Sequence, residues 1–422
     1  MTNRATTSPA ETRQSLMRSL GGVAALIVLF LIAEALCLAL MRPSRLDRIL
    51  MLLERDAQLM WRLRAGLSTT FEGAAVTTSA HHLRGPDFTV PKPAGVTRIV
   101  CLGASPTFGW GVAEDKTYPA VLGSLLRERG LNAETINGGV PGYTTWQGKY
   151  FLARDVLGWQ PDLVTVAYDL NDLDIFRFFI NNGLPDAQQQ PTSAHIVAAQ
   201  NLLNRSAAYR FFRNTLIGAL VKRGSFDPEQ MPRRVALAEY QANLHEIELL
   251  CRENKIMVVF IKMPINLPFH RLKVVDAAQA ASAFAQGEAA ENAGDRPQAI
   301  AHYQRSMELD STQSNTYIHL ARALQQVGRH DQADSLYALL PFVSAFRDRT
   351  DAQYNQAVVD VAAETDRAYV DAVGAFAADG RGDGLWNSKE DPFHPNAAGH
   401  AIVAGLLAAV ISPLPGSEEP TP

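Results

Sequence analysis

Cysteine is scarce in this chain, and features typical of nucleic-acid or metal binding are missing. Only three of the 422 residues are cysteine, which is too few for a disulfide framework. The formal net charge is −4 and no basic stripe is present, so nucleic acid is not expected as a partner. The sequence also lacks an HExxH motif and any cluster of cysteine and histidine, and we therefore expect neither a metal site nor a cofactor.

A long apolar stretch lies near the N-terminus, where Glu34 is the only charged residue between Leu20 and Met41. A helix needs about 20 such residues to cross a bilayer. No small-x-small cleavage site follows, which favours a transmembrane anchor over residues 20–41 rather than a removed signal peptide. Residues 1–19 are then predicted to be a disordered cytoplasmic tail. Glu34 either faces a partner helix or is simply tolerated at this depth.

The orientation of this anchor is only weakly specified by charge. Three arginines precede the apolar stretch and three follow it within a few residues, so the positive-inside rule hardly discriminates. We expect the large domain on the extracytoplasmic, periplasmic side, because a short tail is the easier part to leave behind.

The chain after the anchor divides into a membrane-proximal segment and a larger domain. Residues 42–95 are predicted to begin as an amphipathic helix and then to become irregular and polar. From residue 96, short apolar runs alternate with helical segments, which is typical of parallel strands covered on both faces. Right-handed crossovers then produce a doubly wound α/β domain with five strands, whose ligand should lie at the carboxyl ends of the strands. The predicted strands start at Arg98, Ala133, Leu163, Lys255 and Ala368.

Two insertions interrupt this domain, whose parts are residues 96–264 and 341–412. Residues 173–233 are rich in aromatic side chains and are predicted to form a helical cover, with an apolar entrance for an acyl chain as the alternative. Residues 265–340 form the second insertion, which contains a repeat. The tail, residues 413–422, is expected to be disordered.

The second insertion has an internal period. Gly294, Ala299 and Tyr303 each recur 34 positions later, which is the period of tetratricopeptide repeats. The sequence therefore predicts a helical insertion of this type beside the rim of the active site. It serves either as a binding surface for a protein partner or as a structural wall, and the sequence leaves both open.

A glycine-rich turn after the first strand contains Ser105. The run Gly103-Ala-Ser-Pro-Thr-Phe-Gly-Trp-Gly lies between a strand and a helix, and its glycines permit a tight turn that lifts the Ser105 hydroxyl above the sheet edge. Backbone N–H groups at a helix start can stabilise a developing negative charge. A phosphate-binding loop does not fit, because the GKS/T ending is missing.

A serine nucleophile needs a base, and the base needs an orienting acid. Asp391 and His394 lie three residues apart in a proline-stiffened loop before the last helix, although alone each would be read as a turn former. Gly142 follows the second strand and Asn171 the third, so each can offer an N–H to an oxyanion. The topology gathers these loops at one sheet edge.

In these residues the chain resembles the SGNH hydrolase superfamily, also called GDSL-like lipases and acylhydrolases. The resemblance implies that Ser105 is the nucleophile, His394 the base and Asp391 its orienting acid. It also implies that the Ser105 amide, Gly142 and Asn171 are the oxyanion donors. The four matching blocks are Gly103-Ala-Ser105 with Thr107 and Gly109, Asn137 to Gly142, Asn171-Asp172, and Asp391-x-x-His394-Pro.

The resemblance extends upstream and has two departures. The segment from Asp56 to Phe88 is similar to the region that precedes this domain in bacterial membrane-anchored members. Ala104 stands where the family often has aspartate, which is not a triad member. Asp169 stands where glycine is frequent, and a carboxylate beside an oxyanion donor can narrow substrate choice or slow turnover.

Together these features predict a membrane-anchored serine ester hydrolase that acts through an acyl-enzyme on esters at the cell envelope. One alternative is an O-acyltransferase that moves acetyl or acyl groups onto cell-surface polysaccharide, so the substrate is an ester or an acylated glycan. The other is a catalytically silent membrane scaffold that binds partners through the tetratricopeptide-like insertion.

Overall fold

The computed structural model divides into two compact units. One unit comprises residues 1–43 and 193–226, and the other comprises residues 44–192 and 227–422. Asp169, the tail 413–422 and much of the predicted helical cover lie outside the described residues. The structure describes residues 9–40, 45–168, 170–173, 183–213, 232–266, 272–347, 350–388, 391 and 393–411.

The membrane-proximal segment folds into a short helix followed by two β-hairpins. The expectation of an irregular stretch after the helix is therefore wrong. Each strand has only four residues, too few for an alternating pattern to stand out, and Met60 starts the second strand with a φ of 66°. The elements are the helix Arg45–Leu52 and the antiparallel strands β1 (Leu53–Asp56), β2 (Met60–Leu63), β3 (Ser68–Phe71) and β4 (Ala74–Thr77).

The main sheet confirms the predicted doubly wound α/β fold. Its five strands are β5 (Thr97–Gly103), β6 (Ala133–Gly139), β7 (Leu163–Ala167), β8 (Met257–Lys262) and β9 (Ala368–Asp371). They are all parallel, in the order β6-β5-β7-β8-β9. Strands β5 and β7 lie at the centre and are almost wholly buried, because apolar side chains cover both of their faces.

Helices cover both faces of this sheet and make a three-layer unit. The helices around Phe151, Tyr240 and Tyr354 pack on one face, and those around Leu122 and Val403 pack on the other. The helices of this unit beyond the first are Ser105–Phe108, Tyr118–Glu128, Thr145–Arg154, Leu170–Leu173, Leu237–Glu253, Ala277–Asn292, Arg296–Leu309, Ser314–Gln326, His330–Arg347, Thr350–Glu364, Ala372–Asp379 and Ala397–Ile411.

The register of the central strands brings three strand ends to one level. Gly103 pairs with Gly139 on one side and with Ala167 on the other. A Cβ at Gly139 would clash with the backbone nitrogen of Phe108, so glycine is required for the turn after β5 to pack here. The carboxyl edge of the sheet is thus closely packed around the residues that follow Gly103.

The second insertion folds as two helical hairpins with a small core of its own. Helices Ala277–Asn292 and Arg296–Leu309 form the first hairpin, and Ser314–Gln326 and His330–Arg347 form the second. Gly294 and Gly328 lie between the paired helices with φ values of 80° and 78°. Ala299, Tyr303 and Ala333 are completely buried in this core. The tetratricopeptide assignment itself stays a prediction.

The smaller unit contains the N-terminal helix Pro9–Leu40. Its segment Gly21–Ala39 is the one helical stretch among the described residues that is long and apolar enough to cross a membrane, as a signal sequence also is. The Glu34 carboxylate accepts hydrogen bonds from the Ser206 hydroxyl at 2.7 Å and from the N–H groups of Ala207 and Ala208 at 2.6 and 3.0 Å. Residues 193–213 of the predicted helical cover thus belong to the same unit as this helix, whereas its described residues 183–192 belong to the larger unit.

Candidate active site

Ser105 occupies the first position of the helical turn that follows β5. The backbone carbonyls of Ala104 and Ser105 accept hydrogen bonds from the N–H groups of Phe108 and Gly109, and Gly109 ends the turn with a φ of 85°. Ser105 is 8% exposed, and its own N–H finds no acceptor within the described residues. The turn therefore presents one hydroxyl and one unused N–H at the same place.

The His394 ring joins Ser105 to Asp391. Its Nε2 lies 2.9 Å from the Ser105 hydroxyl oxygen, and its Nδ1 lies 3.0 Å from both carboxylate oxygens of Asp391. An ionised carboxylate only accepts, so it holds the proton on Nδ1 and leaves Nε2 able to accept from the serine. The structure thus brings together the three side chains that the sequence predicts as hydroxyl, base and acid.

Asp391 is held ionised by its surroundings. Burial alone raises the pKa of this carboxyl, but the His394 ring and the backbone N–H groups of Phe393 and His394 outweigh burial. The pKa of Asp391 therefore lies below its ordinary value. A carboxylate that stays charged can stabilise an imidazolium when His394 takes up a proton.

Two further contacts fix the His394 ring and its loop. The Trp110 ring stacks on it with centroids 4.8 Å apart and planes 13° apart. Asn387 donates from its side-chain amide to the Trp110 carbonyl at 2.7 Å, and its backbone N–H donates to the His394 carbonyl at 3.1 Å. The ring is consequently restrained by Trp110 on one face.

The loop after β6 contains Gly142. Val140 N–H donates to the Gly103 carbonyl at 3.1 Å, which ties this loop to the strand that leads into Ser105. Tyr143 N–H donates back to the Val140 carbonyl at 3.1 Å, and Gly142 has a φ of 79°. Gly142 is buried, yet its N–H has no acceptor in the part of the chain that the structure describes.

Asn171 lies after β7 and binds the same loop. Its side-chain Nδ2 donates to the Tyr143 carbonyl at 3.0 Å. One of the two amide hydrogens is used in this way, and the other has no acceptor in the described part of the chain. The neighbouring Asp172 is fully buried and accepts from the N–H and hydroxyl of Thr145, and burial raises its pKa well above the ordinary value.

Sequence reasoning missed Arg84, a buried cation behind the serine turn. Its Nη1 donates to the carbonyls of Phe108 and Gly109 at 2.8 and 2.6 Å, and its Nη2 donates to the Val112 carbonyl at 2.6 Å. Burial lowers the pKa of Arg84 to about 10. Nothing in the sequence around Arg84 indicates this role, because the carbonyls of Phe108, Gly109 and Val112 lie more than 20 positions away.

Two more residues outside the predicted set bind the Gly142 loop. Trp61, on β2, donates from its indole Nε1 to the Pro141 carbonyl at 2.9 Å. Arg234 donates from Nη1 to the Gly142 carbonyl at 2.7 Å and pairs with buried Asp186. Among the described residues, no three histidine, cysteine or carboxylate side chains come close enough to bind a metal ion.

A family model and several solved structures are similar to this chain. Residues 101–293 match the GDSL-like Lipase/Acylhydrolase family, a region that includes Ser105, Gly142 and Asn171. No curated protein sequence is a match.

Similar solved structures include an esterase, a hydrolase and a lipase/acylhydrolase. An acetyl xylan esterase from Geobacillus stearothermophilus has 16% identity and a TM-score of 0.39, with 75% of this chain and 94% of that chain covered. An alpha/beta hydrolase from the metagenome of Lake Arreo has 16% identity and a TM-score of 0.37, with 74% and 94% covered. A lipase/acylhydrolase from Enterococcus faecalis has 14% identity and a TM-score of 0.36, with 75% and 95% covered.

Proposed function

Because this chain carries a domain of the GDSL-like lipase/acylhydrolase family, we propose that it is a serine ester hydrolase with Ser105, His394 and Asp391 as its catalytic triad. The observation that carries the proposal is the continuous hydrogen-bonded path from the Ser105 hydroxyl through both nitrogens of His394 to Asp391. A hydroxyl, an imidazole and a carboxylate in this order form the relay that activates serine for attack on an acyl carbon.

In the acylation step, the Ser105 oxygen attacks the ester carbonyl while its proton moves to Nε2 of His394. The carbonyl oxygen becomes an oxyanion, and the Ser105 N–H, Gly142 N–H and Asn171 amide are the proposed donors to it. One such donor is typically worth about 3 kcal/mol of barrier. The imidazolium then protonates the departing alcohol oxygen, the ester bond breaks, and an acyl-serine remains.

In the deacylation step, water takes the place of the alcohol. His394 accepts a proton from the water as its oxygen bonds to the acyl carbon, and a second oxyanion forms at the same donors. Collapse of this intermediate returns the proton to Ser105 and releases the carboxylic acid. Asp391 stays ionised throughout, and its charge stabilises the imidazolium in both steps.

The deciding experiment compares the parent protein with Ser105→Ala on p-nitrophenyl acetate. We expect the variant to lose roughly 10⁴-fold or more in kcat, as when a triad nucleophile is removed. Ser124→Ala is the matched control, because Ser124 is an exposed residue on a surface helix and should leave the rate unchanged. An Ser105→Ala protein as fast as the parent would contradict the proposal.

Two readouts extend this test. A serine-reactive organophosphonate should modify the parent at Ser105 and leave the Ser105→Ala protein unmodified, as mapped by mass spectrometry. Release of free acetate in the presence of an added glycan indicates hydrolysis, whereas an acetylated glycan would assign the acyl group to a sugar acceptor instead of water.

We further propose that the N-terminal helix stays on the mature protein as a membrane anchor, with the hydrolase unit on the extracytoplasmic side. The support is the Glu34 carboxylate, which accepts three hydrogen bonds from residues 206–208 of the same unit. Removal of the helix would leave these three donors without their acceptor. The intact mass of protein isolated from membranes should therefore include residues 1–43, and a mature chain starting after residue 41 would contradict the anchor.

The helical insertion is proposed to be tetratricopeptide-like and to contact a protein partner. Its support is the matched placement of Gly294 and Gly328 between paired helices and of Ala299 and Ala333 in the shared core. An experimental structure in which the two hairpins superpose over their full length tests the repeat assignment. Hairpins with different crossing angles would contradict it.

A further inference from the structure

The loop that contains Gly142 is held at three consecutive carbonyls. Pro141 accepts from the Trp61 indole at 2.9 Å, Gly142 accepts from Arg234 at 2.7 Å, and Tyr143 accepts from Asn171 at 3.0 Å. All three donors belong to other parts of the chain. Each peptide of this loop therefore has its orientation set by a distant side chain.

The bond from Trp61 matters most for the Gly142 N–H. In a trans peptide, the carbonyl and the N–H of one peptide unit point in opposite directions. The Pro141 carbonyl points at Trp61, so the Gly142 N–H points away from Trp61. This N–H is buried and has no acceptor among the described residues, as is expected of a donor kept for a ligand.

The same peptide has a second orientation that the local sequence allows. Residues 140–143 form a turn closed by the Tyr143 to Val140 hydrogen bond, with proline second and a glycine of φ 79° third, which is the type II pattern. In a type I turn the central peptide is flipped by roughly 180°. Glycine adopts either conformation readily, so the turn alone does not choose between them.

The contacts of Trp61 favour the type II orientation of the Pro141–Gly142 peptide. Its side chain is completely buried, and its backbone carbonyl accepts from the Tyr143 hydroxyl at 2.7 Å. The Arg234 guanidinium lies over its ring at 5.3 Å. A flipped peptide would turn the Pro141 carbonyl away and leave the buried indole N–H without its acceptor.

We propose that Trp61 is a positioning residue that holds the Pro141–Gly142 peptide in the type II orientation and thereby aims the Gly142 N–H at the oxyanion. The proposal rests on the proposed function, in which Gly142 is an oxyanion donor. Trp61 lies on β2 in the membrane-proximal segment, so this segment contributes a positioning residue to the active site.

The test is Trp61→Phe, which keeps an aromatic ring in the core and removes the N–H. We expect kcat for p-nitrophenyl acetate to fall by roughly 10- to 100-fold, toward the range for loss of one oxyanion donor, while KM changes by less than about threefold. Affinity for a transition-state analogue such as a trifluoromethyl ketone should fall with kcat. Trp159→Phe is the matched control, because Trp159 is also buried but contacts Phe151 and Phe88 instead of this loop.

A second variant keeps the test valid if Trp61→Phe does not fold. Replacing Trp61 by benzothienylalanine substitutes sulfur for the indole N–H in a ring of nearly the same shape, and it should give the same loss in kcat. A parent-like kcat in either folded variant, with Ser105→Ala inactive, overturns this inference and leaves the proposed function standing. If the parent protein does not hydrolyse esters, both this inference and the proposed function are overturned.

Discussion

The backbone N–H of Tyr118 donates to Nδ1 of His400 at 3.0 Å, across 282 positions of sequence. Both residues are buried, and their rings stack with centroids 6.0 Å apart. This hydrogen bond joins the start of the helix Tyr118–Glu128 to the last helix of the chain. A ring nitrogen that accepts from a backbone N–H must be unprotonated, so His400 is neutral in the folded protein.

The first prediction concerns the pH dependence of stability. Burial, assisted by the charge of Arg84, lowers the pKa of His400 to about 3 from 6.5. Between these values the unfolded chain binds a proton that the folded chain does not. The contribution to stability is therefore complete above about pH 6.5 and is lost toward pH 3, with a slope of about 1.4 kcal/mol per pH unit. Urea unfolding of the parent and of His400→Gln across this range should show a shallower slope in the variant.

The second prediction concerns the acid of the triad. Asp391→Asn replaces a carboxylate by an amide that no longer stabilises the imidazolium or fixes the Nδ1 proton. We expect kcat to fall by roughly 10⁴-fold at neutral pH with little change in KM. Steady-state ester hydrolysis measures both quantities. Asp379→Asn, at an exposed position, is the matched control, and equal rates in the two variants would rule out an orienting role for Asp391.

The third prediction concerns the side-chain oxyanion donor. Asn171→Ala removes an amide that the proposed mechanism uses in both oxyanion intermediates. We expect kcat to fall by roughly 10²- to 10³-fold. Because Asn171 also donates to the Tyr143 carbonyl, circular dichroism and a Tm measurement should accompany the kinetics. A parent-like kcat in a folded variant would exclude Asn171 as a donor.

The fourth prediction concerns packing at the carboxyl edge of the sheet. Gly139→Ala places a methyl group against the backbone of Thr107 and Phe108, which cannot move without displacing the serine turn. We expect a loss of at least about 2 kcal/mol in the free energy of unfolding, as for overpacking in a core. Gly158→Ala is the control, since a Cβ there meets nothing within 4 Å. Similar urea midpoints for both variants would show that the edge tolerates the methyl group.

The sequence was sufficient to predict the main sheet because its signals are local. Each strand of the sheet is an apolar run, and each helix between them is bounded by turn residues. The serine turn and the Asp391–His394 loop are also short segments. Their convergence follows from the topology of parallel strands, which places their carboxyl ends at one edge.

Other features depend on partners that no local pattern reveals. His400 is only 2% exposed, and the partner of its ring nitrogen is Tyr118, 282 positions away. The hairpins of the membrane-proximal segment were missed because four-residue strands carry too little pattern. Arg84 and Trp61 were not recognised as part of the site, since each binds carbonyls far along the chain. Asn396, by contrast, caps the last helix through a purely local contact, since its side-chain oxygen accepts from the N–H groups of Ala398 and Gly399.

Trp61 and Arg84, two buried donors that precede β5 in the sequence, have a practical consequence for protein production. A recombinant fragment cut at the proline-rich stretch before β5 would begin near residue 96 and would discard Trp61 and Arg84 together. Four hydrogen bonds from these residues to backbone carbonyls would then be missing from the two loops beside the serine. A fragment that starts at about residue 44, after the N-terminal helix, retains Trp61, Arg84 and the whole site.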